Sequence, residues 1–287
     1  MAIYDSNLSV VPLINRDTIK TARSKVGYNW ETLKTRISQR QNIEMTIKRQ
    51  GRRSAHDAEL TRQQILRTAT ELFCEFGYAQ VSLRTISERV GISHSLIRHH
   101  FGSKEQIWYC INDNMHQFIT HYCQTILMHL SKDMPVNELL YQFIVRMLAF
   151  TLINKQPIQL MADVVRQKGS RFDYFVDQSG EVEKLISHLA GDYNQRFPER
   201  AIKIWEIKWH MIMFAHGAAS LGPFLNETWS QECETENECL LKHWQMCDEI
   251  MARKLMIPAS SRLEPQQLDE LVIQMDEPFS TAQVRSI

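Results

Sequence analysis

The sequence predicts an all-α fold, and three observations support this prediction. Apolar residues recur with helical spacing along almost the whole chain of 287 residues. No segment alternates apolar and polar residues as a half-buried strand does, and no glycine-rich strand-to-helix turn or internal repeat is visible. The hydrophobic content of 44% is ordinary for a globular protein with a sizeable core, which argues against a chain that is disordered throughout.

The first predicted helix lies in the stretch TRQQILRTATELFCEFGY, residues 61–78. Its apolar residues fall on one helical face: Ile65, Leu66, Ala69, Leu72, Phe73 and Phe76. Gly77 is expected to end this helix, because glycine readily adopts the left-handed conformation that closes a helix.

Two short helices follow, and a tight turn joins them. Ser82 is expected to cap the first helix and Gly91 to end it, while Ser93 caps a second helix that runs to about His100. Such a pair behind a longer supporting helix predicts a helix-turn-helix over residues 82–101. The second helix of this motif enters the major groove of DNA.

The apolar residues of this pair are expected to form a small core: Ile86, Val90, Ile92, Ile97 and Phe101. This packing leaves four polar residues on the projecting face: His94, Ser95, Arg98 and His99. Small hydrogen-bonding side chains near the start of a helix can approach bases, while Arg and His suit phosphates or guanine edges. The spacing favours DNA binding, although a buried helical hairpin can also contain a glycine turn.

The rest of the chain is also predicted to be helical. The sequence Ser103-Lys-Glu-Gln106 is a capping box, and it opens a long helix that reaches about Leu130. Further helices are predicted at 136–153, 157–168, 180–196, 199–221 and 236–256.

Charge is segregated along the chain although the formal net charge is zero. Residues 1–56 contain 11 Lys and Arg against 4 Asp and Glu, a net charge of +7, whereas residues 110–287 have a net charge of −7. A basic segment ahead of the helix-turn-helix would suit a polyanion. The alternative is a solvated leader whose charge only maintains solubility. We expect residues 1–58 to form a basic, partly disordered extension.

Residues 59–119 resemble the DNA-binding domain of the TetR family of transcriptional regulators. The resemblance rests on linked positions in the family's order and spacing: Thr61, Ile65-Leu66, Ala69, Leu72-Phe73, Gly77, Ile86, Gly91-Ile92-Ser93, His100-Phe101 and Ser103-Lys104-Glu105. One position departs from the family, which usually has Tyr two residues before the His-Phe pair, where this chain has Arg98. Arg98 can contact the same phosphate with a full charge.

The resemblance implies roles for individual residues in DNA binding. Four residues correspond to phosphate contacts: Thr61, Ser82, Arg84 and Lys104. Four others correspond to contacts at or near the bases: Ser93, His94, Ser95 and His99. His100 corresponds to the family's structural His, which packs beside Phe101.

The resemblance also implies a helical ligand-binding and dimerisation domain over residues 120–257, with a homodimer formed by its last helices. Six residues are candidates for the dimer interface: Trp205, Trp209, Gly217, Ala218, Leu241 and Trp244. Eight Met and aromatic residues could line an apolar ligand pocket: Met147, Phe150, Met161, Phe172, Tyr174, Met211, Met213 and Phe214. Both sets could instead be core residues within one chain. Residues 258–287 are expected to form a loosely attached acidic tail.

We therefore expect a cytoplasmic, dimeric repressor that binds an operator in double-stranded DNA and is released by a small apolar or amphipathic effector. The alternative is a DNA-binding regulator without a small-molecule effector, controlled by a protein partner. An enzyme is the third class, and no motif for catalysis, cofactor, phosphate or metal supports it, so we expect no catalytic residue, cofactor or metal. No signal peptide or membrane span is expected either.

Overall fold

The computed structural model describes residues 49–131, 133–166, 169–178 and 180–275. These residues form eleven α-helices and four short 3₁₀ turns, with no strand among them, and this confirms the predicted all-α fold. The chain divides into two units with a boundary between Ala58 and Glu59, and the description below concerns the second unit and the part of α1 that precedes it. Most of the predicted basic extension lies outside the described residues.

The helix-turn-helix is built from α2 and α3, which follow the long first helix. The bounds are α1 (Arg49–Phe76), α2 (Leu83–Val90) and α3 (His94–Phe101). The hydroxyl Oγ of Ser82 accepts a hydrogen bond from the Thr85 N–H at 3.0 Å, and Ser93 Oγ accepts one from the Leu96 N–H at 3.2 Å. Both serines therefore cap their helices, because each satisfies an N–H that the first helical turn leaves without a partner.

Gly91 forms the turn between α2 and α3. Its φ of 79° and ψ of 30° lie in the left-handed region, which costs a residue with a Cβ atom more than it costs glycine. The N–H groups of Gly91 and Ile92 both donate to the carbonyl of Ser87, so the end of α2 is satisfied within the turn.

Eight further helices complete the described chain. Their bounds are α4 (Lys104–His129), α5 (Val136–Ile153), α6 (Gln156–Val165), α7 (Ser170–Gln178), α8 (Gly180–Arg196), α9 (Ile204–Ser220), α10 (Gly222–Thr228) and α11 (Glu236–Lys254). Helices α7 and α10 were not predicted from the sequence. The Gly-Pro pair at the start of α10 is typical of a turn, and α7 is only 9 residues long.

Two apolar cores lie at the two ends of α4. The amino-terminal core joins α1–α3 and the first half of α4 to α6 through these residues: Ile65, Leu66, Ala69, Leu72, Phe73, Val81, Ile86, Ile97, Phe101, Ile107, Trp108, Ile111, Leu160 and Val164. The carboxy-terminal core contains buried side chains from the second half of α4, from α5 and from α8, α9 and α11. Helix α4 is therefore shared by both cores.

Helix α5 lies at the centre of the carboxy-terminal core. By length and composition it could cross a membrane, but 61% of its residues are buried inside the protein, as a core helix of a globular domain would be. Its buried side chains include Leu140, Phe143, Ile144 and Leu148.

The tail after α11 is not loosely attached over its described part, which corrects our expectation. Residues 258–275, here called the C-terminal strap, fold back onto the carboxy-terminal core and bury Leu268 and Leu271. Arg146 donates to the Leu271 carbonyl at 3.1 Å, and the Ile273 N–H donates to the Tyr122 hydroxyl at 3.3 Å. The apolar residues of the strap account for the attachment, because they add to a core that already exists. Residues 276–287 lie outside the described residues.

Candidate nucleic-acid interface

The outward face of α3 presents the polar residues that the sequence predicted there. Ile97 and Phe101 are buried in the amino-terminal core. Five residues at the start and along the outer face of the helix are exposed: Ser93, His94, Ser95, Arg98 and His99. The structure therefore brings all the predicted base-contacting residues, together with Arg98, onto one surface.

The serine hydroxyls on this surface serve both as caps and as potential DNA contacts. Ser93 Oγ lies 2.9 Å from Ser95 Oγ, and Ser82 Oγ lies 2.8 Å from Thr85 Oγ1. All four side chains are exposed. A hydroxyl has one donor and two acceptor sites, so Ser82 and Ser93 can cap their helices and still bond a phosphate or a base edge.

Arg84 lies on the exposed side of α2 with its side chain 83% exposed. Its guanidinium Nε is 2.8 Å from the Glu88 carboxylate, and this hydrogen bond raises the pKa of Arg84. A phosphate contact by Arg84 would replace the Glu88 carboxylate with another anion. Thr61, also a predicted phosphate contact, is half-buried on α1.

Lys104 has an internal role that the sequence did not predict. Its ammonium group donates to the carbonyls of Tyr78 at 2.8 Å and Val81 at 2.7 Å, and it lies 4.0 Å from the centre of the Tyr78 ring. Burial and the nearby Arg171 guanidinium lower the pKa of Lys104. Only the third N–H of the Lys104 ammonium group is left for DNA. The phosphate contact stays a prediction, and these internal hydrogen bonds weaken the argument for it.

The turn at Tyr78 connects the helix-turn-helix to α6 and α7. The Tyr78 N–H donates to the Asp163 carboxylate of α6 at 3.1 Å, and the Arg171 guanidinium of α7 lies 3.9 Å from the centre of the Tyr78 ring. A Cβ atom on Gly77 would lie 3.0 Å from the Asp163 carboxylate. Sequence reasoning missed this contact because Tyr78 and Asp163 are 85 positions apart, and no local pattern links them.

His100 and Arg62 lie beside Phe101 and complete the support of α3. The His100 ring is half-buried and its centre is 6.3 Å from that of Phe101. The Arg62 guanidinium of α1 lies 5.2 Å from the centre of the Phe101 ring and donates to the Cys110 sulfur at 3.6 Å. These contacts fix the end of α3 against α1 and α4.

The eight residues predicted to line a ligand pocket do not form one group. Five belong to the carboxy-terminal core or pack against it: Met147, Phe150, Met161, Met211 and Phe214. Phe172 and Tyr174 pack against the amino-terminal core instead, and Met213 is 47% exposed. Phe172, Tyr174 and Met213 thus lie apart from the other five, because helical spacing does not reveal which core a side chain joins. The ligand pocket itself stays a prediction.

Two cavities lie along the C-terminal strap rather than among those residues. One has a volume of about 360 Å³ and lies beside Trp244, Asp248, Arg262 and Pro265. The other has a volume of about 250 Å³ and lies beside Ile153, Leu240, Gln267 and Leu268. Both are partly lined by strap residues, so the strap is incompletely packed against the helices.

The predicted dimer residues divide into an exposed group and a buried group. Trp205 and Trp209 of α9 are 64% and 62% exposed, while Gly217 and Leu241 are half-buried. Ala218 and Trp244 are fully buried within the chain, and the Trp244 indole N–H donates to the Val145 carbonyl at 2.8 Å. The expectation is therefore corrected for Ala218 and Trp244, because side chains inside the core cannot contact a second copy.

Comparisons with known proteins agree with the helix-turn-helix. The family model described as bacterial regulatory proteins, tetR family, matches residues 65–108. Two relatives from Mycobacterium tuberculosis are the HTH-type transcriptional repressor Rv3405c and the HTH-type transcriptional regulator MT3513. Each is 32% identical over 94 residues, which cover 33% of this chain and 47% of the relative. The chain thus spans about half the length of the curated relatives it matches.

Solved structures with a similar arrangement of helices have low sequence identity to this chain. A transcriptional regulator FadR from Bacillus subtilis, solved with stearoyl-CoA, is 12% identical with a TM-score of 0.49. The aligned region covers 66% of this chain and 96% of the FadR chain. GusR of Salmonella enterica is 16% identical with a TM-score of 0.44, and the aligned region covers 68% of this chain and 95% of the GusR chain.

Proposed function

We propose that the chain, whose residues 65–108 match the tetR family of bacterial regulatory proteins, is a cytoplasmic homodimeric repressor of that family rather than an enzyme. It binds an operator in double-stranded DNA through α3. A small apolar or amphipathic effector, bound in the carboxy-terminal domain, releases it from the DNA. No membrane partner is part of this proposal.

One observation carries the proposal of sequence-specific DNA binding. The exposed polar groups of α3 are small hydroxyls, imidazoles and one guanidinium, with the partly exposed Leu96 beside them, while Ile97 and Phe101 anchor the helix in a core shared with α1 and α4. A rigid helix that offers hydrogen-bonding groups to solvent matches the geometry of a recognition helix in the major groove.

Selection from random duplex DNA tests this proposal. Full-length protein, incubated with random duplexes over several rounds of binding and amplification, should enrich a motif with two inverted half-sites. The two-fold symmetry of a dimer requires this inversion. If no sequence is enriched over the starting pool, the protein is not a sequence-specific regulator.

A second copy of this chain is the proposed occupant of the exposed apolar face of α9. Trp205, Trp209 and Met213 are spaced by four residues and all are exposed, so they form one stripe along the helix. An exposed apolar stripe of this kind is typical of an interaction surface, whereas single exposed apolar residues are ordinary on a monomer. Tryptophan is also enriched among residues that dominate binding at interfaces.

Replacing Trp209 with Glu should convert the dimer to a monomer and abolish operator binding, because a charge would be buried without a partner. Light scattering coupled to size-exclusion chromatography measures the mass. Met128→Glu is the matched control, since Met128 on α4 is also exposed, at 72%, but lies outside the stripe. A Trp209→Glu protein that keeps the dimer mass would show that α9 is not the interface.

The proposed effector acts by changing the angle between the two recognition helices. Helix α4 contacts α3 through the amino-terminal core, and its far half buries Tyr122 and Ile126 in the carboxy-terminal core. The proposed dimer exchanges between a form whose recognition helices fit DNA and a form in which they are too far apart. An effector that binds only the second form shifts this equilibrium by its differential affinity, typically about 5–150-fold in DNA binding. Operator DNA should weaken effector binding by the same factor. Equal effector affinity with and without DNA would favour control by a protein partner.

A further inference from the structure

Two polar atoms on α4 lie buried without a hydrogen-bond partner. Asn112 is 1% exposed, and its amide Nδ2 donates to the Trp108 carbonyl at 3.0 Å, but its carbonyl Oδ1 has no partner among the described residues. The ring atom Nε2 of His116 is also buried and has no partner in this part of the chain. Buried polar atoms in native proteins are nearly always hydrogen-bonded, so each of these two needs an explanation.

The two atoms belong to the same face of α4. Asn112 and His116 are four residues apart, which places their side chains one above the other along the helix. They lie between Ile111, the last buried α4 residue of the amino-terminal core, and Tyr122, the first of the carboxy-terminal core. The pair therefore occupies the seam between the two cores.

The Asn112 side chain contributes little to the fold in this position. The Trp108 carbonyl that it bonds is already the acceptor for the backbone N–H one turn later in the helix. A Leu at position 112 would fill a similar volume, would contribute apolar contacts and would leave no acceptor without a partner. The amide is therefore better explained by a ligand than by stability.

We propose that Asn112 and His116 bind the polar head of the effector, and that this head is an uncharged group that donates a hydrogen bond, such as a hydroxyl or an amide. This inference rests on the proposed function and specifies the chemistry of its effector. The Asn112 carbonyl Oδ1 can only accept, so the head has to carry a donor. A hydroxyl that donates to Oδ1 can also bond His116 Nε2.

The surroundings of the pair select against a charged head. Asp113 is adjacent to Asn112 in sequence and accepts a hydrogen bond from the Tyr174 hydroxyl. A carboxylate head bound at Asn112 would therefore be repelled by the Asp113 carboxylate. Burial lowers the pKa of His116, which keeps its ring neutral at pH 7 and removes a cation that could pair with a carboxylate. Phe175 lies 5.2 Å from the His116 ring, so the remainder of the effector meets apolar surface.

Binding at the seam offers a direct route to regulation. The seam is the part of α4 that lies between the side chains packed against α3 and those packed in the carboxy-terminal core. A molecule inserted there separates the two cores locally and changes their relative position along α4. The same contact thus recognises the head of the effector and shifts α4 relative to the two cores.

Calorimetric titration with three octyl compounds tests the inference. The probes are 1-octanol, octanoate and octylamine, which share one chain and differ in the charge of the head. Full-length protein should bind 1-octanol more tightly than either charged compound. Asn112→Leu should weaken 1-octanol binding about five- to tenfold, the value of one lost hydrogen bond, while the melting temperature stays equal or rises.

Asn114→Leu is the matched control, because Asn114 lies on the same helix but two residues away and therefore on another face. It should leave 1-octanol affinity unchanged. Proteins labelled with ¹⁵N-histidine provide a second readout, in which the His116 ring signal, assigned by its loss in His116→Gln, should shift when 1-octanol is added.

Three results would overturn the inference: no binding of any octyl compound, preference for octanoate or octylamine, or equal effects of Asn112→Leu and Asn114→Leu. Operator binding, measured on the same protein preparation, distinguishes failure of the head-group inference from failure of the proposed function. A protein that binds its operator but not 1-octanol contradicts only the head-group assignment. A protein that binds no operator contradicts the proposed function.

Discussion

Arg98 places a full positive charge on the exposed face of α3, at a position where the family usually has the hydroxyl of Tyr. We expect Arg98→Ala to weaken DNA binding across all sequences, because a charge-assisted phosphate contact is lost. The slope of log affinity against log salt concentration should fall by about one unit. Titrations at several salt concentrations measure this slope. If instead discrimination is lost at a single base pair, Arg98 contacts a guanine and the phosphate assignment is wrong.

His243 makes stability depend on pH in a predictable direction. Its Nε2 lies 2.8 Å from the Phe214 carbonyl, and burial lowers the pKa of its ring below the usual value of 6.5. As the pH falls through about 6.5, the unfolded chain binds a proton before the folded protein does, so folding is progressively disfavoured. The stability that His243 contributes is therefore complete above about pH 6.5 and declines below it.

His243→Gln should reduce the loss of stability between pH 8 and pH 5, because Gln does not titrate. Urea unfolding at both pH values gives the two free energies for each protein. His116, whose pKa is also lowered by burial, is unchanged in this variant, so part of the pH dependence should persist. An identical difference in wild type and variant would show that His243 does not couple protonation to folding.

Roles that depend on neighbours in sequence were predictable at the residue scale. The caps at Ser82 and Ser93 and the turn at Gly91 follow from local chemistry, and the structure has all three. The internal hydrogen bonds of Lys104 and Trp244 were not predictable in this way, because each is donated to a carbonyl at least 23 positions away in sequence. Such partners are set by the packing of helices, which a single sequence does not specify.

At the scale of elements, long amphipathic helices were predicted closely and irregular segments were not. The predicted helices at 136–153 and 180–196 match α5 and α8 at both ends. The C-terminal strap was missed because it contains only two 3₁₀ turns, and its attachment depends on separate apolar residues such as Leu268 and Leu271. Periodicity detects regular elements, so it does not detect a segment that packs without one.

Removing the strap should destabilise the carboxy-terminal domain. Deletion of residues 258–287 exposes the sites of Leu268 and Leu271, and burial of two leucines contributes about 3–6 kcal/mol. Deletion of residues 276–287 is the control, since it leaves these contacts in place. Urea unfolding should show a lower midpoint only for the longer deletion. Equal midpoints for both deletions would mean that the strap adds no net stability.

At the scale of the whole molecule, the two cores are coupled by a shared helix and by contacts between separate elements. Helix α4 belongs to both cores, and Asp163 of α6 and Arg171 of α7 contact the turn at Tyr78 next to the helix-turn-helix. A shift of α6 or α7 therefore reaches α2 and α3 through a hydrogen bond and a cation–π contact as well as through the core. Rigid, contiguous contacts of this kind can transmit a small change to α2 and α3, and in the proposed dimer to both copies of α3.

In the proposed dimer, the spacing of the two DNA half-sites depends on both copies of the chain, and it tests the central claim most directly. Recognition helices of a two-fold dimer reach successive major grooves on one side of the duplex only when they are about 34 Å apart, or one helical turn. Protection mapping of DNA that contains the selected motif, including the DNA next to the protein's own gene, measures this spacing. We predict two protected half-sites whose centres are separated by one helical turn or a multiple of it, with protection lost when Trp209→Glu replaces the wild type. A single protected half-site, protection without sequence preference, or unchanged protection by Trp209→Glu would contradict the dimeric repressor proposed here.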